Sequence, residues 1–299
     1  MITLLSDWGL ENAHILSRHT NALKVSAGNC TYYLKRRKQT CNFERWEEFR
    51  ISQYIVENGL LAETPLLTKN GVPFIVKDDS YYSLYASLNG VSFQHLNTIT
   101  LDQCFLLGQY LGSLHQGLLT YPVKDHIAVW DVFEHMKDWL SIDHSELNEW
   151  AVKVYTQLIP AEALYAQLPH QLIHSDVHLG NFVWGENKII GLVDLERIRR
   201  SPRIADVGYF ITVLLRNMYT EGRTGDLFNK INRFLKGYSW RQIVDEKEIL
   251  SLYPLCMVFL LQYTLFYSSR GFVTEASSIK RMIGNLSGRK EFMKSLTDL

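Results

Sequence analysis

Three oxygen-bearing side chains stand close together in the second half of the chain: Asp176, Asn181 five residues on, and Asp194 thirteen beyond that. Two carboxylates and an amide oxygen are hard ligands, suited to Mg²⁺ rather than to a soft metal. Magnesium keeps several waters and leans on substrate phosphates. A set this incomplete is therefore what a nucleotide-phosphate site requires, and an all-protein cage is not expected. Asp176 is left to orient a hydroxyl and take its proton.

For these groups to act together the chain between them must reverse. Phe182-Val183-Trp184 and residues 188–193 are short apolar runs on either side of the polar turn Gly185-Glu186-Asn187, the pattern of a β-hairpin. Antiparallel pairing brings the two ends of a hairpin together, so Asn181 and Asp194 are expected to be neighbours. Leu172-Ile173 is the short apolar segment that leads into the Asp176 loop.

The run His174-Ser175-Asp176-Val177-His178-Leu179-Gly180-Asn181 resembles the HGDxHxxN catalytic loop of the aminoglycoside phosphotransferase and choline kinase-like family, a branch of the protein-kinase-like fold. Asp194-Leu195-Glu196 resembles that family's second metal motif. The resemblance makes Asp176 the catalytic base and Asn181 and Asp194 the metal ligands, with ATP and Mg²⁺ as cofactors. It also implies a structural role for Asp206 after the metal motif, and residues 108–115 (GQYLGSLH) are similar to the family's LxxLH helix. Upstream, TYYLKRR resembles the strand whose lysine, here Lys35, contacts the nucleotide phosphates. Glu48 is the candidate helical partner of that lysine, with Glu44 and Glu47 as rivals. Ser175 stands where the family carries glycine, and Leu195 where it carries Phe or Trp. The covering segment, residues 18–30, has no GxGxxG, and its Asn21 resembles a recurrent Asn of related small-molecule kinases.

Around the motifs the elements change character along the chain. Residues 22–25 and 31–35 read as strands joined at Gly28-Asn29, 43–58 as a helix stopped by Gly59, and 81–85 as a further strand after the Asn70-Gly71 turn. From Thr100, an N-cap, residues 101–118 are apolar at threes and fours, and later segments are mostly helical. The expected class is α+β, a two-lobed protein-kinase-like fold. A β-rich nucleotide-binding lobe takes residues 1–86, and a mainly helical catalytic and acceptor-binding lobe takes 87–299.

Composition narrows the partners. The 299 residues hold 31 Lys+Arg against 31 Asp+Glu, which argues against a nucleic-acid-binding protein. Residues 252–267 are the most apolar stretch, but Pro254 and Gln262 interrupt it, and it reads as a buried core helix rather than a membrane span. Four scattered cysteines and an N-terminus without a basic n-region are what a cytoplasmic protein is expected to show.

The leading expectation is a kinase that phosphorylates a hydroxyl of a small molecule. The alternative is a catalytically weak or inactive kinase-like structural protein of the spore-coat type, which the chain resembles in its WGL start, its TKNG hairpin and its LLRNMY helix; its place would then be the spore coat. A zinc hydrolase is a third reading, because His174, Asp176 and His178 alternate and would share one face of an extended segment. Arg197, Arg199, Arg200 and Arg203 could serve an anionic acceptor or be a solvated loop. Asp226, Asp245, Glu246 and Glu248 could suit a cationic acceptor or be surface charge.

Overall fold

Alternation along two strands builds the first part of the molecule. In β2 (Ala22–Ala27) and β3 (Cys30–Arg37), Leu23, Val25 and Leu34 point one way and are buried with Leu4, Leu5, Tyr82 and Leu84. On β3 the opposite face carries Lys35 and Arg37. The turn between β2 and β3 is Gly28-Asn29, with Ala27 opposite Cys30 and Gly28 at φ +56°, where a residue lacking Cβ is least strained. β1 (His14–Arg18), β4 (Ile75–Lys77) and β5 (Ser80–Ala86) complete an antiparallel sheet in the order β1-β2-β3-β5-β4. The Asn70-Gly71 turn forms as expected, the Thr68 amide donating to the Val72 carbonyl at 2.8 Å with Gly71 at φ +74°, while β4 and β5 meet at Asp78-Asp79, both with positive φ. α1 (Asn42–Glu57) lies between β3 and β4 in the chain.

The computed structural model describes residues 2–38, 40–92, 99–123, 127–141, 147–220, 225–286, 292 and 296. They form two compact units. Unit 1 is discontinuous: Met1–Ser92 is joined by Asn181–Glu186 and Ile190–Glu196. The later segments bring β8 (Phe182–Trp184) and most of β9 (Ile189–Leu192), the expected hairpin, which pairs through β8 with β6 (Val91–Ser92).

Unit 2 comprises Phe93–Gly180, Asn187–Ile189 and Arg197–Leu299. It holds α2 (Leu101–Leu119), α3 (Val132–Ser141), α4 (Asn148–Thr156) and α5 (Ile159–Tyr165), then α6 (Ile204–Thr220), α7 (Leu227–Ser239), α8 (Glu246–Ser269) and α9 (Val273–Leu286). A two-stranded ribbon joins β7 (His170–Ile173) to β10 (Arg199–Pro202). Thr100 caps α2 as expected: its hydroxyl accepts the Gln103 amide at 3.2 Å, and the Gln103 side chain takes the Thr100 amide at 2.9 Å. α8 is long and apolar enough to cross a membrane, but it packs against α3, α5, α6 and α9, as the core helix of a helical unit does.

The α2–α7 crossing depends on missing side chains. A Cβ placed on Gly108 would lie 2.0 Å from the Phe234 carbonyl oxygen, and one on Gly237 would lie 2.0 Å from the Phe105 carbonyl oxygen. The two backbones therefore approach as only facing glycines allow. This contact sets the distance between His115 on α2 and Tyr238 on α7, which the site below uses. Gly237→Ala is expected to cost at least about 1–3 kcal/mol by overpacking. Gly284→Ala, in α9 with nothing within 4 Å of the added methyl, is expected to gain about 0.5–1 kcal/mol. Thermal unfolding of the pair should move Tm in opposite directions.

Candidate active site

In unit 2 the ribbon of β7 and β10 delivers the loop that begins at His174. Arg199 pairs with Ile173 in register, so the chain leaves β7 beside the residues that enter β10. The loop is then fixed from below by Asp206, in the first turn of α6 and with no exposure to solvent. Its carboxylate accepts the amides of His174 and Ser175, each at 2.8 Å, and the Nε2 of His115 at 3.0 Å. A buried carboxylate is costly unless several donors replace its water, and here three do. His115 Nδ1 faces the Tyr238 hydroxyl at 2.8 Å. Burial raises the Tyr238 pKa far above its ordinary value, so the phenol stays protonated and donates to Nδ1, leaving Nε2–H to donate to Asp206. Asp206 thus has the structural role that the resemblance implied, and His115 supports it.

Ser175 adopts φ +60°, a left-handed conformation in which glycine is the least strained residue. Its hydroxyl donates to the Arg197 carbonyl, and its amide is held by Asp206. Asp176 follows with its amide on His174 Nδ1 at 3.2 Å. The Tyr209 hydroxyl donates to Asp176 Oδ1 at 3.1 Å and accepts from the Tyr263 hydroxyl at 2.9 Å. Burial, then Tyr263 and Asp176, push the Tyr209 pKa upward, so this phenol remains a donor. Arg197 Nε lies 3.8 Å from Asp176 Oδ2.

Unit 1 carries Lys35, Asn181 and Asp194. Asn181 and Asp194 are neighbours through the hairpin, since the Val193 amide donates to the Asn181 carbonyl at 2.8 Å. The Lys35 ammonium lies 3.4 Å from Asp194 Oδ1, and Arg37 Nη2 reaches the same oxygen at 3.0 Å. Arg37 also pairs with Glu196. Asp194 itself sits at φ +67°.

The expected Lys35–Glu48 pair is not formed, and neither rival replaces it. Glu48 is spent on Arg45 and on the Tyr85 hydroxyl, the latter at 2.8 Å, while the Lys35 ammonium sits over the Tyr85 ring 4.9 Å from its centre. Glu44 caps α1 through the Cys41 amide, and Glu47 pairs with Arg50. The partner of Lys35 is Glu63, at 2.6 Å. Residues 61–63 run beside β9: the Leu192 amide donates to the Leu61 carbonyl and the Glu63 amide to the Leu192 carbonyl. This pairing carries the Glu63 carboxylate to the Asp194 amide, which donates to the same Oε2 at 3.1 Å. Burial works to lower the Lys35 pKa, but Glu63 and Asp194 outweigh it, and the net shift is upward. Lys35 is therefore a fixed cation at neutral pH.

Hard oxygens from Asn181 and Asp194 suit a divalent cation that takes its remaining ligands from phosphate and water. Among the described residues no group of three or more His, Cys, Asp or Glu is placed to hold a metal, and His174 Nδ1 accepts the Asp176 amide at 3.2 Å. The four cysteines are free thiols. The arginine cluster divides. Arg203 makes a bidentate pair with Glu248, both contacts at 2.8 Å, whereas Arg197 and Arg199 line a cavity described below. Glu248 is thereby occupied, and Asp245 caps α8 by accepting the Glu248 amide at 2.8 Å.

This arrangement belongs to a protein-kinase-like fold. The structure of an amicoumacin kinase in complex with AMP-PNP, Ca²⁺ and Ami is similar over 93% of this chain and 90% of that one, with a TM-score of 0.72 at 16% identity. The microcompartment-associated aminopropanol kinase is similar over 98% of each chain, with a TM-score of 0.73 at 15% identity. Among curated proteins, the stress response kinase A of Salmonella paratyphi A (strain ATCC 9150 / SARB42) is 24% identical over 241 residues, covering 74% of this chain and 66% of that protein. The match thus spans just under two thirds of that relative's length. The Phosphotransferase enzyme family (APH) matches residues 31–242, well over half of the sequence, and the chain belongs to that family.

The strain at position 175 gives a test of loop geometry. Ser175→Ala keeps a Cβ at φ +60° and loses the hydroxyl bond, whereas Ser175→Gly loses the bond but relieves the strain. The Ala variant is expected to be less stable than the Gly variant by about 1–2 kcal/mol in urea unfolding.

Proposed function

We propose that the protein is an ATP-dependent phosphotransferase that moves the γ-phosphoryl group to a hydroxyl of a small molecule. The observation that carries this reading is the cluster on unit 1 in which Lys35 and the motif aspartate Asp194 share the carboxylate of Glu63. A fixed cation beside a metal-type aspartate is a triphosphate-binding chemistry, and family membership supports it. The nucleotide is assigned to the lobe of residues 1–86 and the acceptor to that of residues 87–299. Cytoplasm supplies both ATP and Mg²⁺ and is where the reading places the protein.

Phosphoryl transfer asks for positioning and charge neutralisation more than for covalent help. In the proposed step the acceptor oxygen bonds to the γ-phosphorus, the bond from that phosphorus to the bridging oxygen breaks, and ADP leaves. Asp176 takes the hydroxyl proton, oriented by Tyr209. Lys35 holds phosphate oxygens, and Glu63 keeps its ammonium in place. Mg²⁺, held by Asn181 and Asp194, would supply further neutralisation of the triphosphate.

Arg37 on Asp194 also favours a second reading, a non-catalytic relative of the spore-coat type, because a cation already occupies the carboxylate that a metal would use. A thermal shift with Mg-ATP separates the two. Stabilisation, together with ATP-dependent phosphate transfer to some member of a hydroxyl-bearing metabolite panel, is expected. No shift and no transfer would favour the second reading.

Asp176→Asn is expected to lower transfer about 10²–10⁴-fold while the Mg-ATP thermal shift persists. Glu63→Gln should lower kcat about 10–100-fold through loss of lysine positioning. Glu48→Gln should largely spare transfer and instead cost stability, up to about 3–5 kcal/mol, by leaving the buried Arg45 without its counter-ion. Steady-state assays and unfolding curves on the same preparations check all three.

A further inference from the structure

Unit 2 contains a cavity of about 590 Å³, within the range of about 300–1,000 Å³ usual for small-molecule sites. It lies beside Asp176, because two of its lining residues are Ser175, the preceding residue, and Tyr209, whose hydroxyl is on the Asp176 carboxylate. Its apolar wall is aromatic: Trp130 packs on Phe259 with ring centres 5.7 Å apart, Trp139 packs on Phe266 at 6.3 Å, and Tyr263 also lines it. The secondary structure explains this wall. Residues 128–130 pair with β10 through Arg200, α3 brings Trp139, and α8 presents its aromatics at threes and fours.

The charge of the cavity is one-sided. Arg197 and Arg199 line it, and among the described residues no Asp or Glu does. Arg199 is half-buried, its guanidinium donates to the Ile198 carbonyl at 3.1 Å, and no carboxylate among the described residues lies within ion-pair distance of it. Aromatic walls often bind cations, but here two of the rings are already engaged from outside. The Arg216 guanidinium lies 4.4 Å from the centre of Tyr263, and that of Arg270 lies 4.7 Å from the centre of Phe266. Burial lowers the pKa of His135, against the opposing effect of Asp138, so its ring is a neutral part of the lining. Arg197 Nε lies 3.8 Å from Asp176 Oδ2.

We infer that this cavity takes an aromatic hydroxy acid: a ring body packed against the wall that the tryptophans and α8 aromatics form, with a carboxylate on Arg197 and Arg199. Guanidinium groups pair with carboxylates by two parallel hydrogen bonds, and an uncompensated arginine in a partly buried wall gains most from such a partner. A polyamine or an aminated sugar is opposed there by the two guanidinium groups. The inference rests on the phosphotransferase reading for what happens to the hydroxyl, but not for binding.

The test is calorimetric titration of the full chain, without nucleotide, by hydroxynaphthoate, its primary amide and its aminomethyl analogue, three probes sharing one ring system. The acid is expected to bind about tenfold or more tighter than the amide, and the amine weakest. The Arg197→Gln/Arg199→Gln double variant should abolish the preference for the acid and leave amide affinity within about twofold, a tenfold change being about 1.4 kcal/mol. Trp139→Ala should weaken acid and amide alike. Thermal unfolding of each variant establishes that it is folded before titration. An amine that binds as well as the acid, or an acid preference that survives the double variant, overturns the inference. Acid binding without any phosphate transfer leaves this inference standing and removes the phosphotransferase reading; transfer to amines without acid binding does the reverse.

Discussion

A carboxylate with no access to water organises the helical unit. Asp206 must collect donors from elsewhere in the fold, and the ones it collects are the two amides that open the Asp176 loop and the His115 ring. Each donor makes the carboxylate tolerable, and the carboxylate in turn fixes each donor. The chain continues outward from His115 to Tyr238, and from there to the glycine-lined crossing of α2 with α7. Backbone packing far from Asp176 thereby reaches its loop through contacts of ordinary length. The left-handed turn at Ser175 is held by the same carboxylate, which accepts the Ser175 amide.

A comparable sharing operates in the sheet unit. One oxygen of Glu63 serves both the Lys35 ammonium and the Asp194 amide. Two cations and three acids are gathered there: Lys35 and Arg37 with Glu63, Asp194 and Glu196. Burial alone would favour a neutral lysine, and the carboxylates reverse that. The effect on Glu196 has the opposite balance: burial raises its pKa, with Arg37 opposing. Positive charge is thus held firmly on Lys35.

Local pattern made much of this legible. Alternation gave β2 and β3, Thr100 marked the start of α2, and the polar turn between two apolar runs announced the β8–β9 hairpin. The partner of Lys35 was not legible, because Glu63 reaches it through pairing of residues 61–63 with Leu192, a contact between chain segments far apart in sequence. The one local sign was an acid flanked by apolar residues just after a helix stop, in LLAETPLL. The split of the arginine cluster was hidden for a related reason. Only Arg199 and Arg200 of the run lie in β10, which pairs with β7, while Arg197 precedes the strand and Arg203 follows it and turns toward α8, so the four side chains are sent to different places. The hairpin at Asp78-Asp79 escaped notice because two adjacent aspartates in left-handed conformation are a rarer turn than Asn-Gly.

The discontinuity of unit 1 bears on how the protein is made. Its last segments, Asn181–Glu186 and Ile190–Glu196, leave the ribosome roughly 100 residues after Ser92, which at about 5–20 residues per second is a delay on the order of 5–20 s. During that interval the nascent sheet lacks the strand that pairs with residues 61–63, and Glu63 has a lysine but no Asp194 amide. The first 92 residues therefore wait, partly assembled, for residues 181–196, and this is the stage at which a chaperone would find an open strand edge to protect.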